Sequence, residues 1–396
     1  MTHVMISGWY GHANSGDEAI LTVLLDELNR DAAIDCYVLS SVPGEIDRLY
    51  ADMRATGVRH WEYCGLRGLE NLLRGRLWRQ TGLLRKSRLF IFGGGSLLRD
   101  NNTYRTLFRN LDEIFLARLV GVPVFFYALG VGPFRSRFGK KLIGLASRCA
   151  TVITVRDQHS ADRLVQLGIP PEKITVVSDP AFLLADTDPA ECAKTAGLSG
   201  FLAQNPKTLF VYPTVSLIDP SLATHDNEHL ARIAGALTQL CRTDGYAVVF
   251  VPLTIGGGVD DIDISRRIRN LMAVGSRTFI VEQTMLPRQV RGLTRLATVN
   301  LTVRLHAMIY AVSCGLPCVP VNYEPKVPAN ALQFGLQDYV VELDAELEGN
   351  IIENVRRLAT RLPQERTRLA GLVPALERNA QETFVLLKRL LGETRP

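Results

Sequence analysis

No stretch of the sequence is long and apolar enough to read as a membrane-spanning helix. The longest weakly polar run, Leu119 to Phe134, is interrupted by Gly121, Pro123, Gly130, Gly132 and Pro133, and it falls short of the roughly 20 residues that a span needs. It reads as a buried strand followed by a loop. The N-terminus, Met-Thr-His-Val-Met-Ile-Ser-Gly, lacks the basic opening of a signal peptide and runs straight into a strand. Charge is thin as well. A formal net charge of +5 is far from the dense basic stripe that nucleic acid requires, so no nucleic-acid partner is expected. The 7 cysteines are scattered and odd in number, which argues against a disulfide framework and fits a reducing cytosol. Cys314 and Cys318 bracket a helix end and a strand start with no second Cys/His pair nearby, so no metal site is expected. Neither a fixed-period repeat nor a low-complexity tract is present.

What is present is the composition of a folded soluble protein, 47% hydrophobic and 21% charged. At 396 residues the chain is too long for one ordinary core, and two domains are expected. Short apolar strands alternate with helical patterns through the first half. His3–Ser7, Cys36–Ser40, Arg88–Phe92, Val122–Tyr127, Thr151–Val155 and Ile174–Val177 read as strands, with helices at Asp17–Asn29, Tyr104–Leu119 and Asp157–Leu167. The rhythm breaks from about Leu183 to Lys207, a linker rich in Asp, Pro, Ala and Gly. It then restarts with strands at Thr208–Tyr212, Tyr246–Pro252, Thr278–Val281, Ala297–Val303 and Pro317–Val321, and helices occupy the tail from about Ala345. Alternation of this kind implies parallel, helix-covered sheets. The fold class is α/β: two doubly wound Rossmann-like domains, residues 1–185 and 205–396, facing a cleft.

Residue types of chemical interest gather where strands hand over to helices, the edge at which open α/β sheets bind ligands. After the first strand comes Gly8-Trp-Tyr-Gly11-His-Ala-Asn14-Ser-Gly16-Asp17-Glu18. Its glycines permit a close backbone approach and its helix N-terminus favours an anion. It serves equally as a strand-to-helix turn capped by Ser15 or Asp17, and the two readings are compatible. It is not a dinucleotide fingerprint. Phe92-Gly93-Gly94-Gly95-Ser96 permits a nest of backbone N–H groups for an oxyanion, and Asp100-Asn101-Asn102 then precedes a helix that it can cap. Gly130-Val-Gly132-Pro133 and Val155-Arg156-Asp157 close the next two strands; Arg156 reads either as a ligand cation or as half of a structural ion pair.

The last such handover is Arg304-Leu305-His306, followed by a helix that stops at Gly315 and a strand from Pro317 that ends near Lys326. Each of the three polar residues has a structural reading: a capping arginine, a satisfied core histidine, an exposed lysine. Together at two adjacent strand ends they suggest an anionic ligand and an acid/base near neutral pH. Gly256-Gly-Gly-Val-Asp-Asp-Ile-Asp263 begins a helix, where its acids offset the helix dipole in preference to holding a metal. Leu66 to Arg88 is basic and amphipathic, and Arg135, Arg137, Lys140 and Lys141 add a second basic cluster. This reads either as a surface for an anionic leaflet or as a packed helix with a solvated basic face.

These motifs, with Ser178-Asp-Pro-Ala-Phe182 and Gly315-Leu-Pro317, resemble the polysaccharide pyruvyl transferase family in order and over most of the chain, and more narrowly its bacterial cell-surface-anchoring branch. The resemblance implies Rossmann-like domains arranged as in GT-B glycosyltransferases. It implies transfer of a pyruvyl group from phosphoenolpyruvate, a co-substrate, onto a sugar as a cyclic ketal, with no cofactor. Arg304, Leu305 and His306 match the family's Arg-Leu-His, and Arg156 and Lys326 its donor-side cations. His306, Arg304 and Lys326 are thus the expected catalytic group. Arg156, Gly11, Asn14, Asp17, Gly94, Gly95, Ser96, Gly132 and Leu305 are expected to contact substrate, the first domain serving the acceptor and the second the donor. In the surface-anchoring branch the acceptor is an N-acetylmannosamine unit on a lipid-linked wall-polymer precursor. That implies a cytoplasmic protein, peripheral on the inner membrane face through residues 66–88. Gly11-His-Ala-Asn14 departs from the Gly-Phe-Gly-Asn of relatives. A nucleotide-sugar GT-B glycosyltransferase is the alternative, and a non-catalytic anion-binding or membrane-associated protein is a third reading. His306 either moves a proton or holds the phosphate.

Overall fold

A computed structural model describes residues 1–60, 76–100, 104–214, 217, 226–256, 260–273, 277–324 and 326–393. Residues 66–75 of the basic segment 66–88 therefore lie outside the described residues; from Arg76 the segment is helix α3 (Arg76–Lys86). Among the described residues no helix is long and apolar enough to cross a membrane.

The chain folds into two compact α/β units, residues 1–12, 20–183 and 377–396 forming the first and 13–19 and 184–376 the second. The first carries seven strands: β1 (Thr2–Ser7), β2 (Ile34–Ser40), β3 (Ala55–Arg59), β4 (Ser87–Leu98), β5 (Val124–Val131), β6 (Val152–Val155) and β7 (Ile174–Val176). Their order is β3-β2-β1-β4-β5-β6-β7 and every pairing is parallel. The interior strand β5 is buried at every position, as a sheet covered on both faces demands. Helices α1 (Ser15–Leu28), α2 (Pro43–Leu49), α4 (Tyr104–Leu119), α5 (Arg137–Cys149) and α6 (Gln158–Gln166) connect the strands. Ser136 caps α5 by accepting the Gly139 N–H at 2.8 Å, and Asp157 caps α6 by accepting that of Ser160 at 2.7 Å.

The second unit contains α7 (Pro189–Thr195), α8 (Ser199–Gln204), β8 (Thr208–Tyr212), α9 (Asp226–Thr243), β9 (Ala247–Phe250), α10 (Asp261–Leu271) and β10 (Thr278–Ile280). It continues with α11 (Pro287–Thr294), β11 (Val299–Thr302), α12 (Leu305–Ser313), β12 (Cys318–Asn322), α13 (Lys326–Gln333) and β13 (Val341–Glu342). Its strands run β10-β9-β8-β11-β12-β13, again all parallel. A helix of 47 residues, α14 (Leu347–Glu393), leaves the second unit at residue 376 and ends in the first.

Three expectations change. The stretch Leu183–Lys207 is not an extended linker. It forms α7 and α8, and the half-buried thiol-bearing helix α7 packs on α11, where a Cβ at Gly292 would lie 2.7 Å from the Cys192 sulfur. Buried Arg291 fastens the segment by donating to the Leu184 carbonyl at 3.1 Å and to Asp186, while its other edge holds Ser313 of α12. Gly93–Ser96 is not a free loop, because β4 continues through it and pairs Gly93 with Tyr127 and Gly95 with Leu129 before the register shifts between Gly95 and Leu98. Asp100 accepts the backbone N–H groups of Arg135 and Ser136 and the Ser136 hydroxyl, and so anchors the start of α5; the expected cap at Asn101-Asn102 lies outside the described residues. Finally, a division at 185 and 205 becomes an exchange, since Ala13–Ala19 clusters with the second unit and Glu377–Pro396 with the first.

Burial alone would raise the Asp100 carboxyl, but hydrogen bonds from Ser136 and the two backbone amides outweigh it and hold the group below its ordinary 3.8. A depressed folded value stabilises the fold above the unfolded value and loses that contribution as pH falls through the folded one. Asp100→Asn should therefore cost about 1–3 kcal/mol at neutral pH and much less near pH ~3. Urea unfolding at both pH values checks this; an equal loss at both would contradict it.

Candidate functional site

The strand β11 delivers Arg304 as the residue before α12, with an extended backbone (φ −95°, ψ 141°) and no side-chain cap bond of its own. Its guanidinium instead turns onto Asp261, the first residue of α10. Nε and Nη2 donate to the two carboxylate oxygens, each at 2.8 Å. Asp261 is wholly buried. Its Oδ2 also accepts the backbone N–H groups of Leu253 and Thr254 at 3.2 and 2.9 Å. Four donors thus surround one carboxylate, the arrangement that makes a buried charge tolerable. The neighbouring Asp260 is the cap of α10, accepting from Ile262 and Asp263 at 2.9 and 3.1 Å. Of the acids read as dipole partners, one caps the helix and one is a clamp for arginine.

The same β9–α10 loop receives the beginning of α1. Asn14 forms a bridge with Thr254, and Ser15 donates its N–H to the Leu253 carbonyl at 2.7 Å. Buried Tyr310, on α12, donates to the Ser15 carbonyl at 2.7 Å and meets the Ser15 hydroxyl at 2.9 Å. These contacts press the first turn of α1 onto His306. A Cβ at Gly16 would lie 2.1 Å from His306 Nδ1, so only glycine admits the ring at this distance. Asn14 donates to Asp17 at 2.7 Å and accepts the Gly16 N–H at 3.2 Å, which fixes the approach.

Beyond β12, Lys326 is the first residue of α13 and pairs with Glu324 at 2.8 Å. A cation at a helix N-terminus opposes the helix dipole, so helix stability does not explain it. Tyr323 links this strand end to the previous one. Burial pushes its phenol well above the ordinary range, Glu324 adds to that, and Arg304 and the Leu305 amide pull the other way. His306, Arg304, Leu305, Lys326, Asn14 and Asp17 therefore belong to one unit, the first four at the carboxyl ends of β11 and β12 and Asn14 on the β9–α10 loop.

Arg156, Gly11, Gly94, Gly95, Ser96 and Gly132 belong to the first unit. Arg156 Nη1 is 2.5 Å from Asp179 Oδ2, with both side chains buried, and Asp179 also accepts the Ala181 N–H at 3.0 Å. The ion-pair reading of Arg156 is thus realised with Asp179, not with the adjacent Asp157. Ser96 and Arg156 converge over Gly130, where a Cβ would meet Ser96 Oγ at 2.6 Å and Arg156 Nη2 at 3.4 Å. Gly94 (φ +76°) lies against buried Tyr10, whose hydroxyl donates to the Gly93 carbonyl at 2.6 Å. Part of the glycine run therefore makes room for a core tyrosine. Gly11 lies over Ser40 and Gly132 over Arg163. Asp261, Tyr310 and Tyr323 were missed by sequence reasoning. Asp179 was visible within a quoted motif, but nothing in the spacing named its partner.

Known proteins bear on this geometry. The model of the polysaccharide pyruvyl transferase family matches residues 14–325. The amylovoran biosynthesis protein AmsJ of Erwinia amylovora is 22% identical over 284 residues, 69% of this chain and 66% of AmsJ, so the aligned part spans just under two thirds of that relative. Among solved structures, the Neisseria meningitidis UDP-GlcNAc 2-epimerase bound to UDP-GlcNAc has a TM-score of 0.65 at 16% identity, covering 99% of this chain and 100% of its own. A putative UDP-N-acetylglucosamine 2-epimerase from Listeria monocytogenes gives 0.66 at 10% identity, with 99% and 97% covered. HepE of Anabaena, in complex with UDP and glucose, gives 0.61 at 14% identity, with 100% and 99% covered. At these identities the likeness establishes a GT-B-like fold.

If the Asp261 clamp organises this edge, Asp261→Ala should lower the unfolding free energy by about 3 kcal/mol. Asp261→Ala combined with Arg304→Ala should cost less than the sum of the single changes by about 1–3 kcal/mol. Strict additivity in a double-mutant cycle by urea unfolding would show that the two groups act independently.

Proposed function

The chain belongs to the polysaccharide pyruvyl transferase family, a family of transferases, and from that premise we propose that it moves the pyruvyl group of phosphoenolpyruvate onto a saccharide as a cyclic ketal. The observation that carries this reading is the placement of His306 in the first turn of α12, beside an arginine fixed by Asp261 and within the family-matched residues.

The chemistry asks for what these residues offer. Phosphoenolpyruvate brings a carboxylate and a phosphate, which Arg304 and Lys326 of the second unit are suited to hold; Arg156 is a proposed substrate contact of the first unit. A proton added to C3 of the enol makes C2 electrophilic. One sugar hydroxyl attacks C2 and loses its proton, the C2–O bond to phosphate breaks, and a second hydroxyl closes the ring. Of the two hydroxyl protons, one replaces that spent on C3 and the other leaves with phosphate. No electrons change hands, so the balance requires no redox cofactor. An imidazole can deliver the proton to C3 or accept one from a hydroxyl. Asn14, Asp17, Gly94, Gly95, Ser96, Gly11, Gly132 and Leu305 are the proposed substrate contacts.

For the acceptor we favour an N-acetylmannosamine unit on a lipid-linked cell-wall precursor. That reading rests on the family resemblance to the surface-anchoring branch, and it places the protein at the cytoplasmic face of the membrane. A second reading has an observation of its own. The fold is shared with proteins seen bound to UDP-GlcNAc and to UDP and glucose, which keeps a nucleotide-sugar glycosyltransferase as the rival.

Phosphoenolpyruvate should raise the melting temperature while UDP-sugars leave it unchanged; the reverse pattern favours the rival. Incubation with phosphoenolpyruvate and a synthetic lipid-linked disaccharide should add a pyruvyl ketal, read by mass, with matching phosphate release. His306→Gln should reduce that transfer by about 10²–10⁴-fold in a folded protein. Undiminished transfer would remove His306 from the proton path.

A further inference from the structure

Two neighbouring helices of the first unit, α4 and α5, carry exposed apolar side chains among exposed cations. Phe115, Leu119, Phe138 and Leu145 are exposed there, Leu119 by 82% and Phe138 by 52%. On α5 the spacing Phe138, Leu145 puts both on one face, two turns apart. The helices run side by side. Phe108 of α4 meets Phe138 of α5 with ring centroids 6.3 Å apart. At their other ends, burial raises the Cys149 thiol and the charge of Arg118 opposes that rise, which places α4 and α5 together there too. Six exposed cations rim this apolar strip: Arg118, Arg135, Arg137, Lys140, Lys141 and Arg148. The carboxylates of the two helices are only Asp112, half-buried, and Glu113, which is buried and engaged by Ser7 and His60.

Exposed aromatic and aliphatic side chains framed by cations suit a surface that is apolar beneath and anionic above. A second copy of the same face would bring like charges together. We propose that the α4–α5 face docks the protein on an anionic lipid leaflet, with Phe115, Leu119, Phe138 and Leu145 entering the headgroup boundary and the cations pairing with lipid phosphates. The face rests on the lipid-linked acceptor of the preceding reading for its purpose, not for its ability to bind. It is also distinct from segment 66–88, to which the sequence assigned the membrane contact.

The test is co-sedimentation of the full chain with phosphatidylcholine vesicles and with equal mixtures of phosphatidylcholine and phosphatidylglycerol. Binding to the anionic vesicles alone, weakened by salt, is expected. Lys140→Glu with Lys141→Glu, and separately Phe138→Ser with Leu145→Ser, should each weaken it at least about tenfold while leaving the circular dichroism melt unchanged. Unaltered binding by both variants overturns the proposal. So does equal binding to neutral vesicles, or a concentration-dependent dimer that the same substitutions abolish. Transfer to a soluble acceptor separates the two readings: vesicle binding without transfer defeats the assigned reaction alone, and transfer without vesicle binding defeats this surface alone.

Discussion

Asp261 is a carboxyl group removed from solvent, and four N–H groups converge on it. Two come from the backbone of the β9–α10 loop and two from Arg304, far away in sequence. The clamp therefore ties the ends of two strands that are not neighbours in the sheet order. The loop so fixed is the one on which Asn14 and Ser15 rest, and the turn they begin is the one that lies on His306. The imidazole's surroundings thus follow, contact by contact, from one buried charge. Such a pair adds little net stability against an apolar substitute of equal shape, and its value is in fixing one arrangement.

The two units build their carboxyl edges by different means. The first relies on close approach: glycines around Tyr10, and Ser96 and Arg156 over Gly130. The second relies on charge, with Arg304 clamped and Lys326 set at a helix start where the dipole disfavours it. Both cations lie at the ends of adjacent strands β11 and β12.

Much of this was legible from residue patterns. The strands and their parallel order follow from the alternation of β-branched runs with amphipathic helices, and Arg304-Leu-His306 stood out as a strand-to-helix handover. What escaped has common physical causes. Asp261 looks like any acid in a first helical turn, and only the folded chain shows that its side chain turns inward to an arginine. Gly93–Ser96 looks like a loop because glycine has weak strand propensity, yet pairing with β5 carries the strand through it. Leu183–Lys207 lacks apolar periodicity, and its helices are held by Arg291, whose role no local window reveals. The exchange of Ala13–Ala19 and Glu377–Pro396 between units is a long-range matter that a left-to-right reading cannot see.

The return of α14 to the first unit has a consequence for biosynthesis. Phe384 packs on Tyr127 with rings 5.9 Å apart, Thr383 bonds Thr154 at 3.0 Å, Asn379 accepts from Ser178 at 2.9 Å and the Leu391 carbonyl accepts from Arg88 at 2.7 Å. As the ribosome elongates the chain, residues up to 183 emerge early, but the partners named here for Tyr127, Thr154, Ser178 and Arg88 come only with the last helical turns. The second unit lacks this dependence on late residues, needing nothing beyond 376. Domains usually complete themselves in order of synthesis; here the portion translated first receives part of its packing last.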